Sequence, residues 1–239
     1  MASGGAPIVT TREIVNYARL CRLLIDVGSE VLRDTFNRIH SPAKLSEVLS
    51  HPSIKSILLG KKGKKQEKGK RALLNETQEK ELYPTSSNMS VNDLDIKILM
   101  ILLRNICKLS APSSTGSWEK FPPASDNSLE ANIVRIKLYG KKVYAHAKKA
   151  PVDDATFNKL WLNISYAILA LGESQASVID RLKTESMDPD VQERYQRALE
   201  EWVKSDVSIK EELQGMKEMM KSHQDITREN PDETKEVDP

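Results

Sequence analysis

The 239-residue sequence has few cysteines, few aromatic residues, no long apolar run and almost no net charge. Its two cysteines, Cys21 and Cys107, form no Cys-x-x-Cys pair, which excludes a zinc finger or RING built from this chain. The longest apolar run, Ile98 to Leu103, is far shorter than the roughly 20 residues that span a membrane. A formal net charge of +2 gives no overall field that would attract nucleic acid or a membrane surface. We therefore expect a cytoplasmic protein that does not associate with membranes.

Aromatic residues make up only 5% of the chain, and leucine, isoleucine, lysine, glutamate and alanine dominate it. This composition favours helices over strands. The sequence lacks a Walker loop and the GxGxxG, GxSxG and HExxH motifs, so the common signatures of nucleotide binding, ester hydrolysis and metalloprotease activity are missing. Its four histidines have no spacing typical of metal ligands. We expect an all-α protein with neither metal nor cofactor.

Helical periodicity extends through most of the chain. A capping box at Thr10 to Glu13 predicts the start of a first helix that ends near His40. The segment Leu94 to Leu109 is apolar on nearly every side, which predicts a helix at the centre of a bundle. We therefore expect a flexible N-terminus over residues 1–9 and an antiparallel helical bundle over residues 10–203.

Two loops are expected inside this bundle. The basic loop, residues 60–71, has seven lysines or arginines and one glutamate. It either contacts phosphate or, as we favour because no aromatic residue is interleaved, is a solvated loop. The Ser/Pro-rich loop, residues 110–127, carries Trp118 and Phe121, which we expect to hold it against the bundle. Arg104 precedes this loop at the end of the apolar helix, where a buried arginine needs a carboxylate or carbonyls as partners.

The C-terminal part of the sequence changes character. Residues 204–222 place apolar side chains at a nearly heptad spacing, which predicts an amphipathic helix or a short coiled coil. Residues 223–239 are acidic and contain proline, which is typical of a disordered tail.

The stretch from Glu130 to Ala150 is the best candidate for chemistry. It predicts an amphipathic helix ending in a lysine-rich turn that contains His146. A histidine can act as a general acid or base near neutral pH, and Lys141 and Lys142 could hold a phosphate beside it. A histidine near a helix C-terminus is equally explained by the helix dipole and the terminal carbonyls.

Several separated segments together resemble a HEPN domain, namely TREIVNYARLCRLLIDVGSEVLRDTF, LDIKILMILLRNIC, ANIVRIKLYGKKVYAHA and VDDATFNKLWLNISYAILALG. The resemblance is to the branch found in the DAZ-interacting zinc-finger E3 ubiquitin ligase, and it extends from about Arg12 to Trp202. It implies an all-α bundle that is often dimeric. In many members it implies a metal-independent ribonuclease whose Arg-x(4–6)-His motifs meet at the dimer cleft.

The motif of this family is incomplete here. His146 matches its histidine, but Gly140 stands where the branch has arginine, and Lys141 is the nearest cation at a fitting spacing. Arg135 is too far from His146 along the chain to complete the motif. Lysine cannot give phosphate the bidentate fork of an arginine. The resemblance therefore supports the fold more than it supports catalysis.

Our first hypothesis is a non-catalytic interaction module that forms a homodimer. The predicted dimer face comprises Tyr139, Gly140, Val143 and Tyr144. The alternative is an RNA-binding or ribonuclease domain that uses His146 and Lys141. Its predicted phosphate contacts are Arg135, Lys141, Lys142, Lys61, Lys62, Lys64 and Lys65.

Overall fold

The computed structural model describes most of the predicted bundle. The described residues are 11–40, 45–59, 73–74, 76–83, 92, 94–107 and 109–205. The predicted flexible N-terminus, the basic loop, the acidic tail and all but the first two residues of the predicted segment 204–222 lie outside them.

The described residues form helices and no strand, which confirms the predicted all-α class. The helices are α1 Arg12–Arg22, a π-helical segment Leu23–Gly28, α2 Ser29–Ile39, α3 Leu45–Ser50, α4 Pro52–Leu59, α5 Glu76–Leu82, α6 Ile96–Asn105, α7 Leu129–Ala147, α8 Asp154–Leu169, a short 3-10 turn Glu173–Gln175, α9 Ala176–Thr184 and α10 over residues 189–205.

Side-chain caps set the starts of the main helices. Thr11, Asp95, Ser128 and Asp153 each accept a hydrogen bond from the backbone N–H three residues further on. The N-cap of the first helix is therefore Thr11, one residue after the predicted cap Thr10. Likewise, α6 starts at Ile96 rather than Leu94, because Asp95 is its cap.

The helices α1 and α2 run end to end through the π-helical segment and make one side of the core. The α1 half packs on α7 and α8, and the α2 half packs on α6. A short turn joins α7 to α8, and the two helices contact each other, so they are antiparallel neighbours. Gly28 ends the π-helical segment and faces Ile136 of α7.

The centre of this core is α6, as its apolar sequence predicts. Its buried residues occupy every side of the helix, and Leu99, Leu102 and Leu103 are completely buried. The two cysteines are buried and free, and they pack as small apolar side chains of the core.

The Ser/Pro-rich loop is held against the bundle through buried polar contacts. Arg135 on α7 is only 5% exposed. Its guanidinium donates to the carbonyl oxygens of Pro123 and Asp126, both at 2.6 Å, and to Asn132 Oδ1 at 2.7 Å. These bonds satisfy loop carbonyls that have no helical partner.

The two aromatic residues of the loop also pack on the bundle, as expected. The Arg104 guanidinium lies 5.3 Å from the centre of the Trp118 ring. Phe121 meets the Tyr139 ring edge-on at 5.1 Å. The expectation that Arg104 meets a carboxylate or carbonyls was therefore wrong, because the face of an aromatic ring takes that place.

We predict that Arg135→Met lowers the free energy of unfolding by about 2–3 kcal/mol, because it removes charge-assisted hydrogen bonds and leaves loop carbonyls unsatisfied. Chemical denaturation measures this loss, and hydrogen exchange should show faster exchange within residues 109–128. Lys142→Met on the exposed side of the same helix is the control, and it should change stability by no more than about 0.5 kcal/mol. Equal losses in the two variants would contradict the anchoring role.

Asp126 makes the loop sensitive to acid. Its carboxylate accepts hydrogen bonds from the Ser114 and Ser128 hydroxyls and from the Ser128 N–H, which lowers its pKa from 3.8 to about 2. A depressed folded pKa stabilises the fold above the unfolded pKa, and this contribution is lost as pH falls through the folded value. The stability difference between wild type and Asp126→Asn should therefore be constant above about pH 5 and shrink as the pH falls towards 2. Denaturation across this range measures it, with exposed Asp180→Asn as the control.

Candidate functional site

The predicted site residues other than those of the basic loop all lie on α7, but the structure gives them different surroundings. His146 is half-buried in the last turn of the helix, where its carbonyl accepts from the N–H groups of Lys149 and Ala150. Its Nε2 atom is shielded from solvent and has no hydrogen-bond partner among the described residues. The Nε2 atom could therefore exchange a proton with a substrate only after the surrounding side chains move.

Lys141 belongs to a cluster of charged side chains with Glu119 and Lys137. Its Nζ lies 3.0 Å from Glu119 Oε2, while the other oxygen of this carboxylate bonds to the buried Lys137. Partial desolvation would raise the pKa of Glu119, but hydrogen bonds and charge from the two lysines hold it below its usual value. The cluster compensates the charge of Lys141 and ties the loop to α7.

The other predicted phosphate contacts differ in accessibility. Arg135 is engaged with loop carbonyls, so phosphate would have to displace them. Lys142 is exposed. The predicted contacts of the basic loop, Lys61, Lys62, Lys64 and Lys65, lie outside the described residues.

Gly140, the position of the missing arginine, is covered by the last helix. A Cβ atom at this position would lie 2.5 Å from Cζ3 and 2.8 Å from Cη2 of Trp202. Both distances are far inside van der Waals contact, so the indole occupies the space into which a side chain would project. Trp202 is itself only 3% exposed.

The rest of the predicted dimer face is also used within the chain. Val143 is completely buried, and Tyr144 donates a hydrogen bond to Glu200 of α10 at 3.0 Å. Tyr139 packs on Phe121 of the loop. The predicted dimer face is therefore partly covered by α10 and the loop, and Tyr139 and Tyr144 keep some exposure.

Sequence reasoning missed the two partners that shape this site, Glu119 and Trp202. Glu119 sits in an irregular loop, where no periodicity shows which way its side chain points. Trp202 continues the apolar rhythm of Val191, Tyr195 and Ala198, which indicates a packed helix. That rhythm does not specify which helix receives the indole, although a glycine on an otherwise apolar face was a signal for a bulky neighbour.

The arrangement offers one histidine and a lysine paired with glutamate, with an indole where a second cation would be needed. Among the residues that the structure describes, no group of three or more histidine, cysteine, aspartate or glutamate side chains could hold a metal ion. In the same residues, no helix is both long and apolar enough to cross a membrane.

An all-α bundle whose helix α7 carries this histidine in its last turn agrees with the architecture that the HEPN resemblance implies. Residues 42–195, more than half of the chain, match the family model described as "DZIP3/ hRUL138-like HEPN". The chain belongs to this HEPN family. The match is narrower than the expected span, since α1, α2 and Trp202 lie outside it.

Two curated relatives carry the name E3 ubiquitin-protein ligase DZIP3. The human protein (Homo sapiens) is 25% identical over 169 residues, and the mouse protein (Mus musculus) is 24% identical over 169 residues. The matched part is 70% of this chain but 13% of each relative, so the similarity concerns a small part of those proteins. No solved structure matches the chain.

We predict that Gly140→Ala destabilises the fold by about 1–3 kcal/mol, because the added methyl group overlaps the Trp202 ring. The control is Gly28→Ala, whose Cβ would lie 3.7 Å from Ile136 in ordinary contact. The control should instead be neutral or stabilise the helix by up to about 1 kcal/mol. Denaturation measures both changes.

A double-mutant cycle tests whether Trp202 causes this loss. With Trp202→Leu as the background, Gly140→Ala should cost clearly less than it does in the wild type, because the smaller side chain leaves room for the methyl group. An equal loss in both backgrounds would contradict the contact.

Proposed function

We propose that this chain is a non-catalytic HEPN-type module that acts by binding other proteins. The observation that carries this proposal is the packing of Trp202 on Gly140. A ribonuclease of this family would need an arginine near this position, and here the space is filled by the chain itself.

The remaining cation does not replace the arginine. Lys141 is paired with Glu119, and a lysine cannot bind phosphate through two parallel hydrogen bonds. Removing a single group that stabilises a transition state typically costs about 2.7–4 kcal/mol, which corresponds to a loss in rate of about 10²–10³. His146 alone therefore supports little catalysis.

Association with proteins is supported by apolar side chains that the fold leaves exposed. On α8, Leu162 is 71% exposed and Tyr166, one turn later on the same face, is 51% exposed. Exposed apolar groups on adjacent turns are suited to contact with another protein. The homodimer that the resemblance implies stays a prediction, which sedimentation analysis of the purified chain can test.

Fewer observations support the RNA hypothesis than support protein association. Lys142, Lys148 and Lys149 are exposed around the end of α7, close in sequence to His146. They could attract a phosphate backbone without cleaving it.

A metal-free RNA cleavage assay tests the proposal. We expect the wild-type chain to show no turnover above that of His146→Ala in the presence of a chelator. Turnover by the wild type that His146→Ala abolishes would sink the non-catalytic proposal.

The role of Trp202 can be tested in the same assay. Gly140→Arg alone should show no cleavage, since the arginine cannot enter the space held by the indole. Cleavage that appears only in Gly140→Arg/Trp202→Ala would show that Trp202 blocks the arginine position. Cleavage by Gly140→Arg alone would contradict that block.

A further inference from the structure

A groove of about 660 Å³ opens between α1 and α10, at the end of the molecule where α7 turns into α8. It is open to solvent along one side. One wall is α1, the base is the turn at residues 147–152, and Gln196 of α10 closes the other wall. Gly140 and Trp202 do not line it.

Part of the lining of the groove is apolar. Ile14 lies on its α1 wall and is 40% exposed, although it belongs to the first turns of a well-packed helix. Tyr17, one turn later, is half-buried, and Ala147, Pro151 and Val152 continue the apolar lining. Concave sites lined by such side chains are the usual binding places on protein surfaces.

The base of the groove is fixed to α1 before any partner binds. Asn16 is 3% exposed, and its Nδ2 donates to Val152 O at 3.1 Å and to Asp154 Oδ1 at 3.0 Å. Arg12 also pairs with Asp154 at 2.8 Å. A preformed wall reduces the entropy that binding would otherwise lose.

The rim of the groove is positively charged at the turn. Lys149 is exposed and makes no ion pair with a described residue. The Lys148 side chain is 59% exposed, and its contact with Glu200 is long, at 3.8 Å. Glu13, on the α1 side, is the acidic residue of the lining.

We propose that this groove binds an amphipathic helical segment of a partner protein, with apolar residues on Ile14 and Tyr17 and carboxylates on Lys148 and Lys149. This inference rests on the proposed function in protein association and identifies the surface at which the partner binds. A helix lying in a groove between two helices buries one apolar face, and charges at the rim fix its direction. Acidic residues in the partner complement the lysines at the turn.

The same groove is poorly suited to RNA. Tyr17 is half-buried on the wall, which leaves less of its ring accessible for stacking with a base. Glu13 would repel a phosphate backbone that followed the groove to its α1 side.

The test uses three defined probes and the full chain. One is a synthetic helical peptide with leucines at every third or fourth position and glutamates on the other faces. The second has lysines in place of the glutamates, and the third is an oligouridylate. We expect the glutamate peptide to bind at least about tenfold more tightly than the lysine peptide, a difference of about 1.4 kcal/mol, and the oligouridylate not to compete with it. Fluorescence anisotropy at physiological salt measures all three.

Two variants locate the binding. Lys148→Glu/Lys149→Glu should weaken binding of the glutamate peptide at least about tenfold, and the chain should then prefer the lysine peptide. Ile14→Asn should weaken both peptides, while circular dichroism shows that the fold is kept. The matched control, Lys120→Glu/Lys159→Glu, makes the same charge change on exposed residues outside the groove and should leave the affinity unchanged.

Three results would overturn the inference. They are no binding of the glutamate peptide, binding that Lys148→Glu/Lys149→Glu leaves unchanged, and displacement of the peptide by oligouridylate. None of them decides whether the chain cleaves RNA, so the metal-free cleavage assay can fail or succeed independently and the two proposals remain distinguishable.

Discussion

The contact between the Trp202 indole and the backbone of α7 at Gly140 fixes the arrangement of this domain. The contact exists because glycine has no Cβ: any larger residue would meet the ring at 2.5 Å. It places α10 across the end of α7, where Glu200 then reaches Tyr144 and Lys148. It also sets the position of Gln196, the far wall of the groove beside α1. The Trp202 ring therefore both fills the space at the motif's arginine position and helps to shape the groove beside α1.

Most charged residues of α7 stabilise the fold through hydrogen bonds and ion pairs, which makes them less available to bind a ligand. Arg135 and Lys137 are nearly buried and turn towards the Ser/Pro-rich loop, and Lys141 follows them through Glu119. Burying such groups is costly unless each is paired or hydrogen-bonded, which explains why the loop supplies a carboxylate and two carbonyls to the helix. A long loop without regular structure is thereby made an integral part of the bundle. The lysines beyond it, at the end of α7, are the cations that remain at the surface.

Much of the fold could be predicted from the sequence, because apolar periodicity and capping residues are local signals. They indicated the first helix to its end near residue 40, the buried α6 and the helix that became α7. The site could be predicted only in part. The position of His146 and the change to Gly140 are readable in the sequence, whereas the partners of Lys141 and Gly140 come from residues 22 and 62 positions away. Contacts of this kind depend on how helices pack, which no local pattern specifies. For the same reason Arg104 was matched with the wrong type of partner.

The π-helical segment Leu23–Gly28 has a bearing on how this domain tolerates changes in length. Such a segment is in effect one extra residue within an α-helix. A homologue that lost one residue within this segment could therefore continue as a regular α-helix with the faces of α1 and α2 unchanged. Each residue of an α-helix turns the chain by about 100°, so the loss of one residue between residues 17 and 22 would instead present the preceding part of α1 with a different face towards α7 and α8. The Asn16 side chain would then turn away from Val152, and Ile14 would leave the groove. Alignments of related sequences should therefore place single-residue gaps within residues 23–28, before residue 12 or after residue 39, and a gap elsewhere in α1 or α2 would signal a domain whose end surface is built differently.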